Sequence, residues 1–287
     1  MARTTVWPTI QRVRRQLHSG FRYESLTLAG NITADATTVA FTTTPPAKLT
    51  VGSTLCIGLE LMRVESVRPA SSTATVVRGA GGSDATTHSA GSEVEISPRW
   101  EPLTLYDAMV AEIQSWAPSL FGTVIQITNI TDDTEVVELE TELLGNYGLL
   151  AALYTPSGSS VQRRVRFREA GASTPIVRLI DPLTAGTIEI VAATAFDVST
   201  LALTDDLVAD IGLRPSMVDL LELGIKVRLT PDGEHQRTGR LVQDMTRRAE
   251  EVPLGAYVNH ANHQLTLYRI RKEEEVKKLR ALYPVAC

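Results

Sequence analysis

The hydrophobic period of this chain alternates between two values, and that alternation limits the folds open to it. Residues 7–18, WPTIQRVRRQLH, place Trp7, Ile10, Val13 and Leu17 at spacings of three, three and four, which is one face of a helix, with Arg12 and Arg15 elsewhere. Pro8 suits a first helical turn and Gly20 a stop. From Phe21 to Ile96 the period falls to two. SLTLAG, TTVAFTT, STLCIG, ELMRVESV, TATVVRG and SEVEIS are short runs with Gly, Pro, Asn and Ser between them, the signature of a small all-β barrel or sandwich. The proline pair in TTTPPAKLTVG makes that stretch a loop.

Pro98 and Pro102 bracket a return to helix, in which LTLYDAMVAEIQSWA stacks Leu105, Met109, Ile113 and Trp116 until Pro118 ends it. Residues 121–202 read as strands again: GTVIQITNI, TEVVELET, GLLAALYT, VQRRVRFRE, PIVRLID and TIEIVAATAF, with turns at PSGSS and DPLTAG. In RRVRFRE, Arg164, Arg166 and Arg168 alternate with Val165 and Phe167, which predicts one strand with a buried side and a basic outer side. From Asp205 the chain is mainly helical. DDLVADIGL opens with acids that favour a helix N-terminus. RPSMVDLLELGIKVRL follows with Ser216 as candidate cap, TPDGEHQ is a turn signal, and RTGRLVQDMTRRAEE is a further helix. The last long stretch carries Glu273–Lys277 and Glu274–Lys278 in the favourable order, and its residues 264–270 fit a helix or a strand.

These patterns predict an α+β multidomain protein, with two small antiparallel β-barrel or sandwich domains attached to an α-helical body. The expected divisions are a docking helix at 1–20, a β-module at 21–98, a helix of the body at 99–119, an inserted β-sandwich at 120–203, and the helical body with its C-terminal segment at 204–287. A 12-residue helix is marginal alone, so the first one is expected to dock on its own body or on a neighbour.

Composition excludes several classes of function. A net charge of −5 lacks the basic balance of a dedicated nucleic-acid binder. No apolar run has the length of a membrane span or a signal-peptide core, so a product of the cytoplasm is expected. The two cysteines, Cys56 and Cys287, are expected to make neither a metal site nor a disulfide, and Cys56 reads as a small core residue.

The glycine-rich stretch VVRGAGGSDATTHSAG at 76–91 is the first candidate for chemistry. It lacks the lysine of a phosphate-binding P-loop, and it leads from strand to strand, so no helix N-terminus is offered to a phosphate. His88 is expected to pack on its loop with ring nitrogens bonded to backbone. His260 and His263, at i,i+3, could share a metal but lack further ligands nearby. The acid pairs in TDDTE (131–135) and TDD (204–206) read as a turn and a helix start. The arginines of 163–168 lack the aromatic interleaving of single-strand binding and read as a solvated or subunit-facing surface. No catalytic residues, metal or cofactor are expected, and the chain is read as a non-enzyme.

Residues 51–96 resemble a small β-module of tailed-bacteriophage virion proteins. Val51-Gly52 opens it, ELMRVESV supplies Glu60, Met62, Arg63 and Val64, and the glycine-rich stretch supplies Arg78, Gly79, Gly82, Ala85, His88 and Gly91, with Ser83 where threonine is usual. The C-terminal EEEVKKLRALYP, after several helices, is similar to head-to-tail connector proteins. That resemblance implies a neck adaptor of the virion, made in the host cytoplasm. It would form a ring, twelvefold by the same resemblance, between a portal protein and tail, nozzle or stopper proteins, with DNA passing through its lumen without sequence-specific binding and with no membrane partner. Arg78, Gly79, Gly82, His88 and Gly91 would form the structural turn of the module. Portal or subunit docking would fall to Trp7, Arg14, Tyr268, Arg271, Leu279, Leu282 and Tyr283. A tail, baseplate or fibre component using the same module is the alternative. A carbohydrate-binding or hydrolytic β-sandwich is a third reading, disfavoured by the scarcity of aromatics at 5%.

Overall fold

The computed structural model describes residues 4–18, 24–140, 143, 147–170, 176–180, 183–241 and 256–283, leaving aside the side chains of 18, 170 and 231–260. It is an α+β protein whose sheets are antiparallel throughout the described residues. The chain divides into two compact units. One is Trp7–Ala111, and the other is Met1–Val6 together with Glu112–Cys287.

In the first unit lies most of helix α1 (Val6–His18), which buries Ile10 and Val13 at helical spacing and leaves Arg15 exposed. Six strands follow: β1 (Ser25–Thr27), β2 (Thr38–Ala40), β3 (Thr54–Ile57), β4 (Glu60–Arg68), β5 (Thr73–Val77) and β6 (Glu93–Ile96). They form one sheet in the order β1-β6-β3-β4-β5-β2. The sheet curls until its outer strands meet. Leu28 bridges Phe41, the Ala29 N–H donates to the Ala40 carbonyl at 2.8 Å, and the Thr42 N–H donates to the Thr27 carbonyl at 2.9 Å. A register shift between Val64 and Ser66 bends β4, the long central strand. Alternate residues point inward, so Leu26, Val39, Leu55, Met62, Val64, Val76, Val94 and Ile96 form one apolar core. Helix α2 (Pro102–Gln114) begins in this unit with Leu105 and Met109 fully buried.

The second unit holds β7 (Gly122–Ile130), β8 (Val136–Glu138), β9 (Leu149–Pro156), β10 (Arg163–Val165), β11 (Phe167–Ala170), β12 (Ile176–Leu179) and β13 (Gly186–Thr194). Four strands pair as β10-β9-β13-β7 and three as β11-β12-β8, and residues of both sheets share one core that includes Ile130, Val137, Tyr154, Val177 and Ile190. The single strand expected over RRVRFRE is divided between the two sheets. β10 ends at Val165, and after Arg166 the chain enters the other sheet as β11. The in–out alternation survives the crossing, with Val165 buried and Arg164, Arg166 and Arg168 exposed.

The helices α3 (Pro215–Leu241) and α4 (Ala256–Leu282) complete this unit, each of 27 residues. Three local expectations change here. DDLVADIGL forms turns, because Asp206 spends its carboxylate on the Val208 and Ala209 amides and on the Thr4 hydroxyl. TPDGEHQ is helical, lying within the 27 residues of α3. Ser216 lies inside the first turn of α3, and its hydroxyl donates to Glu275 at 2.8 Å instead of capping. Residues 264–270 are helical, within α4. Residues 242–251 of the expected RTGRLVQDMTRRAEE helix lie outside the described residues.

Candidate functional site

The glycine-rich loop begins where β5 ends. Gly79 sits at φ +61°, and a Cβ there would lie 2.9 Å from the Ser83 carbonyl oxygen, so both conformation and space call for glycine. Gly82 and Gly91 also have positive φ, each +85°. Ser83 turns inward, accepting the Leu61 N–H at 2.9 Å and donating to the Ala80 carbonyl at 2.9 Å. The loop is thereby fastened to the first residues of β4.

Glu60, the first residue of β4, is the centre of this arrangement and only 2% exposed. Arg78 meets it as a fork, Nε to Oε1 at 2.6 Å and Nη2 to Oε2 at 2.8 Å. The Thr86 N–H donates to Oε2 at 3.0 Å, and His88 Nε2 lies 2.7 Å from the same oxygen. The remaining Arg78 donors reach the carbonyls of Thr33 at 2.6 Å, Ala36 at 3.1 Å and Thr86 at 2.5 Å. Backbone bonds in both directions tie His88 to Ile32. The His88 ring therefore differs from expectation: its partner is a carboxylate, not backbone. Burial by itself would raise the Glu60 carboxyl, but the hydrogen bonds from Arg78, Thr86 and His88 outweigh it and bring the pKa down to about 2. Oε1 accepts from Arg78 Nε, and Oε2 is shared by Arg78 Nη2, the Thr86 N–H and His88. What this geometry does chemically is to lock the segments around residues 33–36, 60 and 86–88 together.

A second ion pair stands in the same unit. Arg14 donates through Nη1 to Glu95 Oε1 at 2.6 Å and through Nη2 to Glu95 Oε2. Arg14 is 1% exposed, so its guanidinium serves the interior of its unit. Trp7, named with it for docking, is half-buried and lines a cleft of about 150 Å³ with Gln11, Cys56, Gly58, Glu93, Glu95 and Pro102. That volume is below the several hundred Å³ usual for small-molecule sites. Cys56 is a free, buried thiol. Burial first, then the nearby Glu101 and Glu95, push its pKa far up, which keeps it protonated.

The remaining docking candidates lie in the second unit. Tyr268 donates its hydroxyl to Glu112 Oε1, and Arg271 pairs with Glu274 at 2.7 Å. Leu279 is buried, at 2% exposure, whereas Leu282 is 56% exposed. The Leu282 carbonyl accepts from Arg164 at 3.2 Å, and the Tyr283 ring lies 6.5 Å from that of Phe121. The candidates thus divide into residues spent on their own unit, Arg14, Tyr268 and Leu279, and residues such as Leu282 that face outward.

Glu112 escaped the reading of the sequence. It is 3% exposed and accepts from Trp116 Nε1 at 2.8 Å, from Arg228 Nε at 2.5 Å and from Tyr268. A Cβ on Gly224 would lie 2.5 Å from Glu112 Oε1, so α3 passes this carboxylate without a side chain between. Burial, followed by the Glu112 hydrogen bond, pushes the Tyr268 hydroxyl above the ordinary tyrosine range. Two signals were available: an acid beside the apolar stripe of α2, four residues before a tryptophan, and a glycine inside a helix.

Among the described residues no group of three His, Cys, Asp or Glu is arranged to hold a metal ion, and no helix is long and apolar enough to cross a membrane. His263 is exposed on α4, and the side chain of His260 lies outside the described residues.

No family model matches this chain, and no curated protein matches it by sequence. Among solved structures, it is similar to a chain in the neck of an empty GTA particle, computed with C6 symmetry. That match has a TM-score of 0.21 and 14% identity, over 44% of this chain and 66% of the other, which is less than two thirds of the other's length.

Proposed function

We propose that this chain is a non-enzymatic structural subunit of the neck of a tailed-phage-like particle, a head-to-tail adaptor that joins portal to tail around the path of the DNA. The observation that carries this reading is the module over residues 51–96. Its sequence resembles a phage virion module, and its ionisable residues, Glu60, Arg78 and His88, are consumed by one another and by backbone groups. A catalytic carboxylate or histidine needs a free direction toward substrate, and a brace does not.

Docking is assigned to groups that keep an outward face. The exposed Leu282 is at the C-terminal end of α4, and Leu267 and Ile270 are 40% and 49% exposed about three to four turns earlier on the same helix. Glu275 and Leu279 on that helix are buried, so removing residues 270–287 would strip the unit of its own core and is a poor test of docking. The direct test is imaging of particles that carry a label on this chain. Label at the head–tail junction supports the reading. Label at the tail tip or fibres replaces it with the tail-component reading, and absence of label from the particle overturns it.

A further inference from the structure

The three-stranded sheet of the second unit has one face on the shared core and one face outward. Register lines up the outward side chains. Arg168 of β11 stands directly across from Arg178 of β12, and Arg178 stands across from Val136 of β8. All three are exposed, Val136 at 37%. Like charges directly opposite on adjacent strands destabilise a sheet. Neither arginine forms an ion pair among the described residues, where the ion pairs involve other residues. Glu169, next in sequence, lies on the other side of the pleat and accepts the Leu149 amide.

The opposite margin of the same sheet has the complementary imbalance. β8 is the other edge strand, and it and the turn before it expose Asp133, Glu135 and Glu138. None of these carboxylates meets a cation among the described residues. One subunit therefore presents, among the described residues, guanidinium groups without an ion pair on the edge strand β11 and the central strand β12, and carboxylates without one along the other edge strand, β8. Val136, at 37% exposure, and Ile180, at 46%, add apolar area beside them. Arginine is enriched at protein interfaces.

We propose that these two margins are the subunit–subunit contact, with the Arg168–Arg178 margin of one copy against the Glu135–Glu138 margin of the next. The inference rests on the reading of the chain as a ring-forming neck subunit and names the surface that closes the ring. Such a contact is heterologous, joining two different patches, and it closes into a ring when the rotation between copies divides a full turn. Duplex DNA is the other anionic partner that two arginines could take. It fits less well, because the acids of β8 stand one strand spacing from Arg178's strand and two from Arg168's, about 5 and 10 Å, and would repel phosphates.

The test uses two charge-reversed full-length proteins, R168E/R178E and E135K/E138K, with sedimentation and native mass spectrometry at low salt. The wild-type protein is expected to self-associate and each variant to lose that association. A one-to-one mixture of the variants should recover it, since each then offers the margin the other lacks. Circular dichroism confirms that each variant is folded. Variants that assemble like the wild type overturn the inference, as does a wild-type protein that stays monomeric up to its solubility limit. Binding of a fluorescent duplex by the wild type that is lost in R168E/R178E, without change in assembly, assigns the arginines to DNA and also overturns it. Assembly through these margins by a chain that imaging shows to be absent from the particle neck would instead sink the neck reading and leave the contact standing.

Discussion

Glu60 ties together segments of the first unit that are far apart in sequence. Glu60→Gln keeps the shape and removes the charge. The Arg78 guanidinium, whose side chain is 6% exposed, would then face a neutral amide. Breaking one side of a buried ion pair costs about 3–5 kcal/mol, so the urea midpoint should fall by that equivalent with the slope unchanged. The same residue sets an acid dependence. Its folded pKa of about 2 lies below the ordinary 4.5, so its contribution is fully present above pH 4.5 and is lost as pH falls toward 2. The stability difference between wild type and Glu60→Gln should narrow across that window. A difference that stays constant from pH 5 to pH 2.5 would show that the carboxylate is not held ionised by the fold. His88→Ala, which removes a single bond to a carboxylate that keeps the Arg78 fork, should cost about 1–2 kcal/mol.

At the scale of elements, the helices of the second unit meet at Glu112. Tyr268→Phe removes a hydroxyl that donates to this buried carboxylate, and about 1.5–3 kcal/mol of stability should go with it. Gly224→Ala places a methyl against the Glu112 carboxylate and should cost about 1–3 kcal/mol. The three atoms nearest that methyl all belong to Glu112, so the cost should shrink in a Glu112→Ala background, and thermal melts of the four proteins in this cycle measure the coupling. Equal costs in both backgrounds would mean that α3 is held off by something other than Glu112. This junction also shows what a sequence conceals. The periods of α1, α2 and the strands were legible because each records the local choice between burial and solvent. Arg78, His88 and the glycines at 79, 82 and 91 were legible as one turn, but Glu60 as the centre of it was not, since hydrogen-bond partners 18 and 28 residues apart leave no periodic trace. Arg14 read as a docking candidate for the same reason: its partner Glu95 is 81 residues away. The helix through TPDGEHQ was hidden because its proline, aspartate and glycine are local turn signals.

At the scale of the molecule, the first unit is complete in ways that can be checked by cutting it out. Its apolar core is drawn from residues between Leu26 and Ile96, and both of its buried ion pairs, Arg14–Glu95 and Arg78–Glu60, are internal. The fragment 7–111 should therefore fold by itself and melt in a single cooperative transition. The shorter fragment 24–111 retains every strand and the whole core cluster but loses α1. Glu95 lies between the core residues Val94 and Ile96 on β6 and so faces the side that α1 covers, and without α1 its carboxylate would meet water. The fragment loses the Arg14 fork and the apolar contacts of Ile10 and Val13, so it should melt below the longer one. Glu95→Gln separates the two contributions of α1. In the short fragment Glu95 has no guanidinium to lose, and the substitution should leave the melting temperature nearly unchanged. In the long fragment it breaks a satisfied buried pair and should lower it. A loss confined to the long fragment would establish that α1 is kept in the unit by its arginine as well as by Ile10 and Val13. Equal changes in both would reduce α1 to an apolar cover.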